Sequence, residues 1–301
     1  MSRIRLAIVG YGNVGRGAVQ AVTEEPDMEL VGVIRRKGSA EGVQPIELSR
    51  TKTASDIRDL GEVDVAILCG PTRSIRETAC EILKLGINTV DSFDIHQQIP
   101  QLRRDLGDIA RTHQAVAITS AGWDPGIDSV IRAWFVAMAP KGITYTNYGP
   151  GMSMGHTTAV KGVTGVRNAL SITVPTGMGV HQRMVYVELE ENADFKEVER
   201  NIKQDPYFAK DTTYVFQVDN VESLVDVGHG VLMERSGVSG ITHNQMLRFQ
   251  IRVNNPALTS QVMVSAARAS MKQKPGCYTM IEVPVIDFLR GDVASLVSGL
   301  V

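Results

Sequence analysis

Apolar positions follow one rule over the first 120 or so residues of the chain and another after that. In the first part, short apolar runs rich in β-branched residues alternate with stretches whose apolar residues return at helical spacing. Residues 6–9, 28–34 and 63–68 are too short for helices and carry no polar alternation, so they predict strands buried on both faces. Val14, Ala18 and Val22 mark a helix after the first strand, and residues 73–85 and 95–113 predict two more. With the runs at 86–94 and 115–122 this makes five strands alternating with helices, the pattern of a doubly wound parallel sheet with right-handed crossovers.

After residues 139–141 the alternation stops. Residues 184–190 alternate apolar and polar, with Tyr186 and Glu188 on one parity, as in a half-buried strand; 212–218 and 246–253 read similarly. One helix, roughly 194–204, puts Phe195, Val198 and Ile202 on a face, and residues 144–156 are glycine-rich and aromatic. Asn255-Pro256 opens a long helix over 257–272, and the end around 278–286 is expected to pack back on the first domain. The division predicted is a nucleotide-binding domain at 1–121, joined by 257–301, and an α+β substrate and dimerisation domain with a mainly antiparallel sheet at 122–256.

The chemistry begins at the first turn. Gly10-Tyr11-Gly12-Asn13-Val14-Gly15 places GxGxxG between a predicted strand and a predicted helix. The first glycine permits the turn, the second lets a pyrophosphate approach the backbone, and the third lets helix and strand pack closely. The helix N-terminus adds free N–H groups for phosphate. This is the dinucleotide turn of a Rossmann-type domain. The second strand ends in Arg35-Arg36-Lys37, where an NAD site usually carries an acid for the ribose hydroxyl; a guanidinium there suits a 2′-phosphate, which predicts NADP. A solvated basic turn is the alternative. In such sheets the carboxyl ends of the strands line the ligand crevice. Cys69, Gly70, Pro71 and Thr72 therefore edge the cofactor, as do Asp91, Ser92 and Phe93 one strand on, where residues 91–94 carry two carboxylates. Asp124, beside Trp123, follows the fifth strand. It reads either as a substrate contact or as the N-cap of a helix with Pro125 at its first position.

Composition removes other classes. Of 301 residues 21% are charged, with a formal net charge of −2 and no long basic run, so no nucleic-acid footprint is present. No apolar run approaches the roughly 20 residues that span a bilayer, and the first strand follows Met1 too closely for a signal peptide. Cys69, Cys80 and Cys277 are odd in number and unpatterned, which predicts free thiols in a reducing cytoplasm and no metal site.

Five motifs follow one another along the chain: Val9-Gly-Tyr-Gly-Asn-Val-Gly-Arg16, Val90-Asp-Ser-Phe-Asp-Ile-His96, Ser120-Ala-Gly-Trp-Asp-Pro-Gly126, Gly149-Pro-Gly-Met-Ser-Met-Gly-His156 and Arg252-Val-Asn-Asn-Pro256. In this order they resemble the meso-diaminopimelate D-dehydrogenase family, from the first strand to the C-terminus. The resemblance implies a homodimeric enzyme with reversible NADP-dependent oxidative deamination at the D-centre of meso-2,6-diaminopimelate, giving L-2-amino-6-oxopimelate, ammonia and NADPH. It implies that Asp91 and Asp124 hold the reacting amino group and that Met154 and Gly155 meet the neighbouring carboxylate. Tyr148 lines the pocket, and Thr173, Arg183, His229 and Asn255 surround the distal L-centre. Family members can carry Gln where this chain has Met154, a departure that points towards acceptance of simpler D-amino acids.

Taken singly, these residues have plainer readings. Arg183 reads as a surface charge, His229 between glycines as a turn residue, Asn255 as a helix cap and Thr173 as a core-edge strand residue; His156 and His243 read as structural. The rival functions are another two-domain NADP-dependent reductase, such as a dihydrodipicolinate reductase, or a non-catalytic NADP-sensing dimer.

Overall fold

A computed structural model describes residues 3–224 and 228–301. The chain divides into two compact units, Met1–Ala133 with Pro256–Val301, and Trp134–Asn255.

The first unit is built on β1 (Ile4–Val9), β2 (Met28–Ile34), β3 (Thr53–Ala54), β4 (Val65–Leu68), β5 (Asn88–Asp91) and β6 (Val116–Ile118). Between them run α1 (Asn13–Thr23), the single turn α2 (Lys37–Ala40), α3 (Thr72–Leu83) and α4 (Ile99–Thr112). After the second unit the chain returns through α8 (Asn255–Ser270) and β14 (Gly276–Tyr278), and ends in α9 (Val293–Leu300). The sheet has seven strands in the order β14-β6-β5-β4-β1-β2-β3, all parallel. Two of these, β3 and β14, lie beyond the five expected. They are two and three residues long, too short to leave a hydrophobic pattern, and they occupy the two edges.

Side chains of successive strand residues leave opposite faces of a sheet. Leu6, Ile8, Val33, Ile67, Val90 and Ile118 therefore meet α1 and α8 through Ala18, Val22, Met263 and Ala267. Ala7, Ala66, Leu68 and Ala117 meet α3 and α4 through Ile75, Ala79, Leu102 and Leu106 on the other face. Small residues let α8 approach α1 closely: a Cβ on Gly17 would lie 2.5 Å from Ser260 Oγ. That hydroxyl donates to the carbonyl of Val14 at 2.8 Å.

The boundary between units falls later than residue 121. Ala121 N–H donates to the Asp91 carbonyl at 2.7 Å, and the following turn closes through Ile127 N–H to the Gly122 carbonyl at 3.1 Å. Ile127 and Val130 pack on the core of the first unit. Helix α5 (Ile127–Met138) thus starts two residues after Pro125, so Asp124 is not its N-cap.

The second unit contains β7 (Lys141–Tyr148), β8 (Gly151–Met152), α6 (Met154–Lys161), β9 (Val166–Gly177), β10 (Val180–Leu189), α7 (Phe195–Gln204), β11 (Thr212–Gln217), β12 (Gly228–Ser239) and β13 (Thr242–Asn254). One sheet runs β11-β10-β9-β8, antiparallel except between β10 and β11; the other is the antiparallel sheet β13-β12-β7. The apolar parities of β9, β10 and β11, with α6 and α7, close a core of Val160, Ala169, Val185, Val187, Val198 and Ile202. Asp194 caps α7 by accepting from Lys196 N–H at 3.0 Å. His229 lies on β12 opposite Val253 and is not a turn residue.

Arg268 ties the returning helix α8 into the first unit. Its buried guanidinium donates to Asp27 at 2.7 Å, to Glu25 at 2.7 Å and to the Phe288 carbonyl at 3.0 Å. Arg268→Leu leaves a buried carbonyl and two partly exposed acids without their donor. Because the acids regain water, the loss should be about 3 kcal/mol, at the lower end for breaking a buried pair. A urea midpoint that falls at unchanged slope is the measurement; an unmoved midpoint would assign the network no share of stability.

Candidate active site

The glycine turn has the close contacts its three glycines imply. Gly10 takes a φ of +98°, and its N–H donates to the Ile34 carbonyl at 2.9 Å. A Cβ on Gly15 would lie 2.2 Å from the Gly10 carbonyl oxygen, so α1 could not approach β1 with any larger residue there. Gly12, by contrast, faces open space: nothing lies within 4 Å of where its Cβ would be. It is the N-cap of α1, with no side chain capping the helix and no acid in the first turn. Asn13 and Val14 begin the helix. The N-terminus of α1 is thus accessible, and its first turn carries no acid that would repel a pyrophosphate.

At the end of β2 the basic residues divide. Arg35 is half-buried and braced, its Nη1 donating to the Ser39 carbonyl at 2.9 Å and to Gln44 Oε1 at 2.6 Å. Its guanidinium carbon lies 5.7 Å from the centre of the Tyr11 ring, and that of Arg16 lies 5.6 Å from the same ring. Arg36 and Lys37 are exposed.

At the carboxyl end of β4, Cys69 N–H donates to the Val9 carbonyl at 2.7 Å, which sets Cys69, Gly70 and Pro71 beside the glycine turn. Thr72 begins α3, and its hydroxyl donates to Asp94 Oδ1 at 2.7 Å. Asp94 is exposed. Asp91 is not: its side chain is 0% exposed. Its Oδ1 accepts from Phe93 N–H at 2.9 Å, Thr119 Oγ1 at 2.9 Å and Ser120 N–H at 3.1 Å. The other oxygen, Oδ2, is buried with no hydrogen-bond partner among the described residues. This departs from the expectation that Asp91 touches a ligand. Parity turns its side chain into the sheet's interior, and the accessible carboxylate of the same motif is Asp94, three residues on. Phe93 is also a core residue, packed with the cluster that includes Leu102 and Leu106; Ser92 between them is half-buried.

Trp123 is buried and Asp124 half-buried in the turn after β6. The His96 ring, exposed and absent from the residues singled out above, brings Nε2 to 4.0 Å from Asp124 Oδ1. Its only signal in the sequence was its place at the end of the motif that contains Asp91 and Asp94.

The second unit gathers the other predicted residues. Thr173 and Arg183 are direct cross-strand partners on β9 and β10. The Arg183 guanidinium donates to Thr173 Oγ1, and its Nε donates to Asp211 at 2.6 Å. Arg183 is therefore not a surface charge. The ring of His229 is buried with Nδ1 3.1 Å from the Met152 carbonyl. Tyr148 N–H donates to His181 Nε2 at 2.7 Å, and the two rings lie 5.6 Å apart. Burial, and then the nearby Arg183, lowers the pKa of His181; for His229 burial is again the leading cause. Both rings are thereby kept neutral and able to accept as well as donate. Met154 is half-buried and Gly155 exposed at the start of α6, and Asn255 is half-buried at the start of α8. His156 and His181 join this cluster although neither was selected from the sequence.

Among the described residues no grouping of three or more His, Cys, Asp or Glu could hold a metal ion, and no helix is long and apolar enough to cross a membrane.

Known proteins share this architecture. Residues 10–92 match the NAD-binding domain of homoserine dehydrogenase, and residues 122–180 match the C-terminal domain of diaminopimelic acid dehydrogenase. The chain is 58% identical to a meso-diaminopimelate D-dehydrogenase of Bacteroides fragilis over all of both chains. Among solved structures, that of C. glutamicum DAP dehydrogenase in complex with DAP superposes with a TM-score of 0.89 at 29% identity, covering 100% of both chains. An engineered D-amino acid dehydrogenase bound to NADP+ gives 0.83 at 27% identity, also over 100% of both chains. The first unit is thus a dinucleotide-binding domain of the NAD(P) type.

Burial raises the pKa of Asp91, against the three hydrogen bonds that lower it. The folded state therefore holds this proton to higher pH than the unfolded chain does, and stability falls as pH rises through the folded value. Asp91→Asn removes that loss while keeping an acceptor oxygen. Relative to wild type, its melting temperature should rise between pH 4 and pH 7. A difference that stays flat or reverses would show that the carboxylate is not penalised by burial.

Proposed function

We infer the reaction from one premise: the chain belongs to the meso-diaminopimelate D-dehydrogenase family. It is an oxidoreductase that oxidatively deaminates the D-centre of meso-2,6-diaminopimelate, reversibly, to L-2-amino-6-oxopimelate and ammonia. The cofactor is NADP. Support comes from the open N-terminus of α1 for the pyrophosphate and from exposed Arg36 and Lys37 for the 2′-phosphate. Arg35, braced by Ser39 and Gln44 and lying over Tyr11, shapes the basic turn and adds charge to it. The residues at 69–72 and Ser92 edge the dinucleotide. When bound, the nicotinamide supplies the acceptor for the hydride that leaves the D-centre α-carbon.

The observation that carries the catalytic assignment is that Asp94 and Asp124, both outside the core, follow the carboxyl ends of adjacent strands β5 and β6. They hold the D-centre amine, remove its proton and then orient the water that attacks the iminium. His96, near Asp124, helps to hold that carboxylate. Asp91 positions both through Phe93 and Ser120. Trp123 of the first unit and Tyr148 of the second supply aromatic contacts to the substrate, and the N–H groups of Met154 and Gly155 take the carboxylate next to the reacting centre. For the distal amino-acid end, Arg183 supplies charge-assisted donors, with Thr173, His229 and Asn255 adding polar contacts.

The working form is a homodimer. On the sheet β13-β12-β7 of the second unit, Ile143 is 59% exposed and Met246 66% exposed, both paired with Ser236 of the strand between them. Apolar side chains grouped on one sheet suit burial against a second copy. The three cysteines are free thiols, which suits the cytoplasm.

Met154 favours a second, broader reading. A thioether makes no amide hydrogen bond, so carboxylate recognition falls to backbone N–H groups that any α-amino acid satisfies, and D-amino acids without a distal centre then become weak substrates.

The test is NAD(P)H formation with meso- and L,L-diaminopimelate, D-lysine and D-alanine. Turnover of the meso isomer with NADP, and little with NAD or with the L,L isomer, is expected. Asp124→Asn should lower turnover by about 10²–10⁴-fold, the worth of acid–base help, with NADP affinity kept. NADP binding without turnover of any of these compounds would favour a sensor, and wild-type turnover in the variant would remove Asp124 from the chemistry.

A further inference from the structure

We infer that His156 is a positioning residue: it occupies the hydroxyl of Ser153, and so keeps the N-terminus of α6 uncapped and available to the substrate carboxylate. This rests on the reading above that the N–H groups of Met154 and Gly155 meet that carboxylate.

Ser153 sits at the N-cap of α6 with extended backbone angles, φ −96° and ψ 112°. A serine there ordinarily turns its oxygen onto the N–H of the second or third helical residue. Ser153 does not: its side chain makes no capping hydrogen bond. Its hydroxyl lies 2.8 Å from Nδ1 of His156, the third helical residue. The other ring nitrogen, Nε2, is 3.0 Å from the Tyr207 carbonyl oxygen. A carbonyl oxygen only accepts, so Nε2 carries the proton and Nδ1 offers a lone pair. The Ser153 hydroxyl is therefore the donor to Nδ1, and it is held there rather than over the helix end.

Both members of this contact are fixed. The His156 ring packs edge-on to Tyr207 and Phe208, with centroids 5.3 and 5.1 Å away. Ser153 N–H donates to the Ser171 carbonyl on β9 at 2.8 Å. Burial, reinforced by Arg183, brings the His156 pKa down to about 4, so the ring stays neutral and does not lose its Nδ1 lone pair at physiological pH. A histidine at the third helical position thus reverses what a serine N-cap does: the hydroxyl that would compete with a carboxylate is engaged elsewhere, and the α6 dipole keeps its full attraction for an anion.

The test is a double-mutant cycle read as KM for meso-diaminopimelate. In His156→Gln the side-chain amide can still reach the Tyr207 carbonyl, but it offers no acceptor at the Nδ1 position, so Ser153 is released to cap α6. KM for the substrate should rise about five- to tenfold, the affinity equivalent of a serine cap, with kcat and KM for NADP little changed. Adding Ser153→Ala to His156→Gln removes the competitor and should bring KM back towards wild type. His156→Asn keeps an acceptor near Nδ1 and should stay near wild type. A double variant no better than His156→Gln would overturn the inference, leaving His156 a packing residue. Nitrogen-15 NMR of the wild-type histidines gives a readout that needs no variant: a proton on Nε2 of His156 is required, and a proton on Nδ1 would refute the arrangement. If wild-type protein does not turn over the meso isomer, the functional reading itself fails; turnover without rescue fails this inference alone.

Discussion

One buried carboxylate holds the carboxyl edge of the first unit's sheet together. Asp91 stands at the end of β5, and its Oδ1 gathers Phe93, Thr119 and Ser120, while its carbonyl accepts from Ala121. These contacts tie the segment leaving β5 to the segment leaving β6. Asp94 lies one residue beyond the first tie and Asp124 a short turn beyond the second. Burial opposes ionisation of the acid, and three short-range donors oppose the burial. Such an arrangement costs stability, and here it fixes geometry: exposed Asp94 and half-buried Asp124 leave the sheet from strand ends whose spacing is set.

The second unit solves a different problem with different means. Its polar residues come from adjacent strands in register, so Thr173 and Arg183 meet because they stand opposite each other on β9 and β10. Asp211 balances the guanidinium without enclosing it. The histidines around it, His156, His181 and His229, are driven neutral, chiefly by burial, and act as hydrogen-bonding groups rather than charges. The first unit thus presents acids at its sheet edge, and the second a cation with neutral donors.

Much of this was legible in the residues. The apolar runs located the central strands, and β2 coincides with the expected segment. Pattern failed where elements were short: β3 and β14 hold too few residues to show a period, and β7 lay in a stretch read as glycine-rich and aromatic. Asp before Pro is the residue pair that helix caps use, so the cap stands as one of two readings of Asp124; the backbone closes on itself first, and α5 begins at Ile127. Asp91 and Asp94 both end a predicted strand, and choosing between them needs the parity at the last paired residue, which a sequence does not give. His156 and His181 were passed over because a histidine's importance lies in which nitrogen meets which partner. That is a property of the fold.

The central claim is that oxidation occurs at the carbon held by Asp94 and Asp124, with the other amino-acid end bound and left intact. The most direct measurement uses meso-diaminopimelate carrying deuterium at one α-carbon at a time and reads the mass of the NADPH formed. Deuterium should appear in NADPH from the D-centre label and be absent with the L-centre label. Transfer from the L-centre, or from both, would contradict the account.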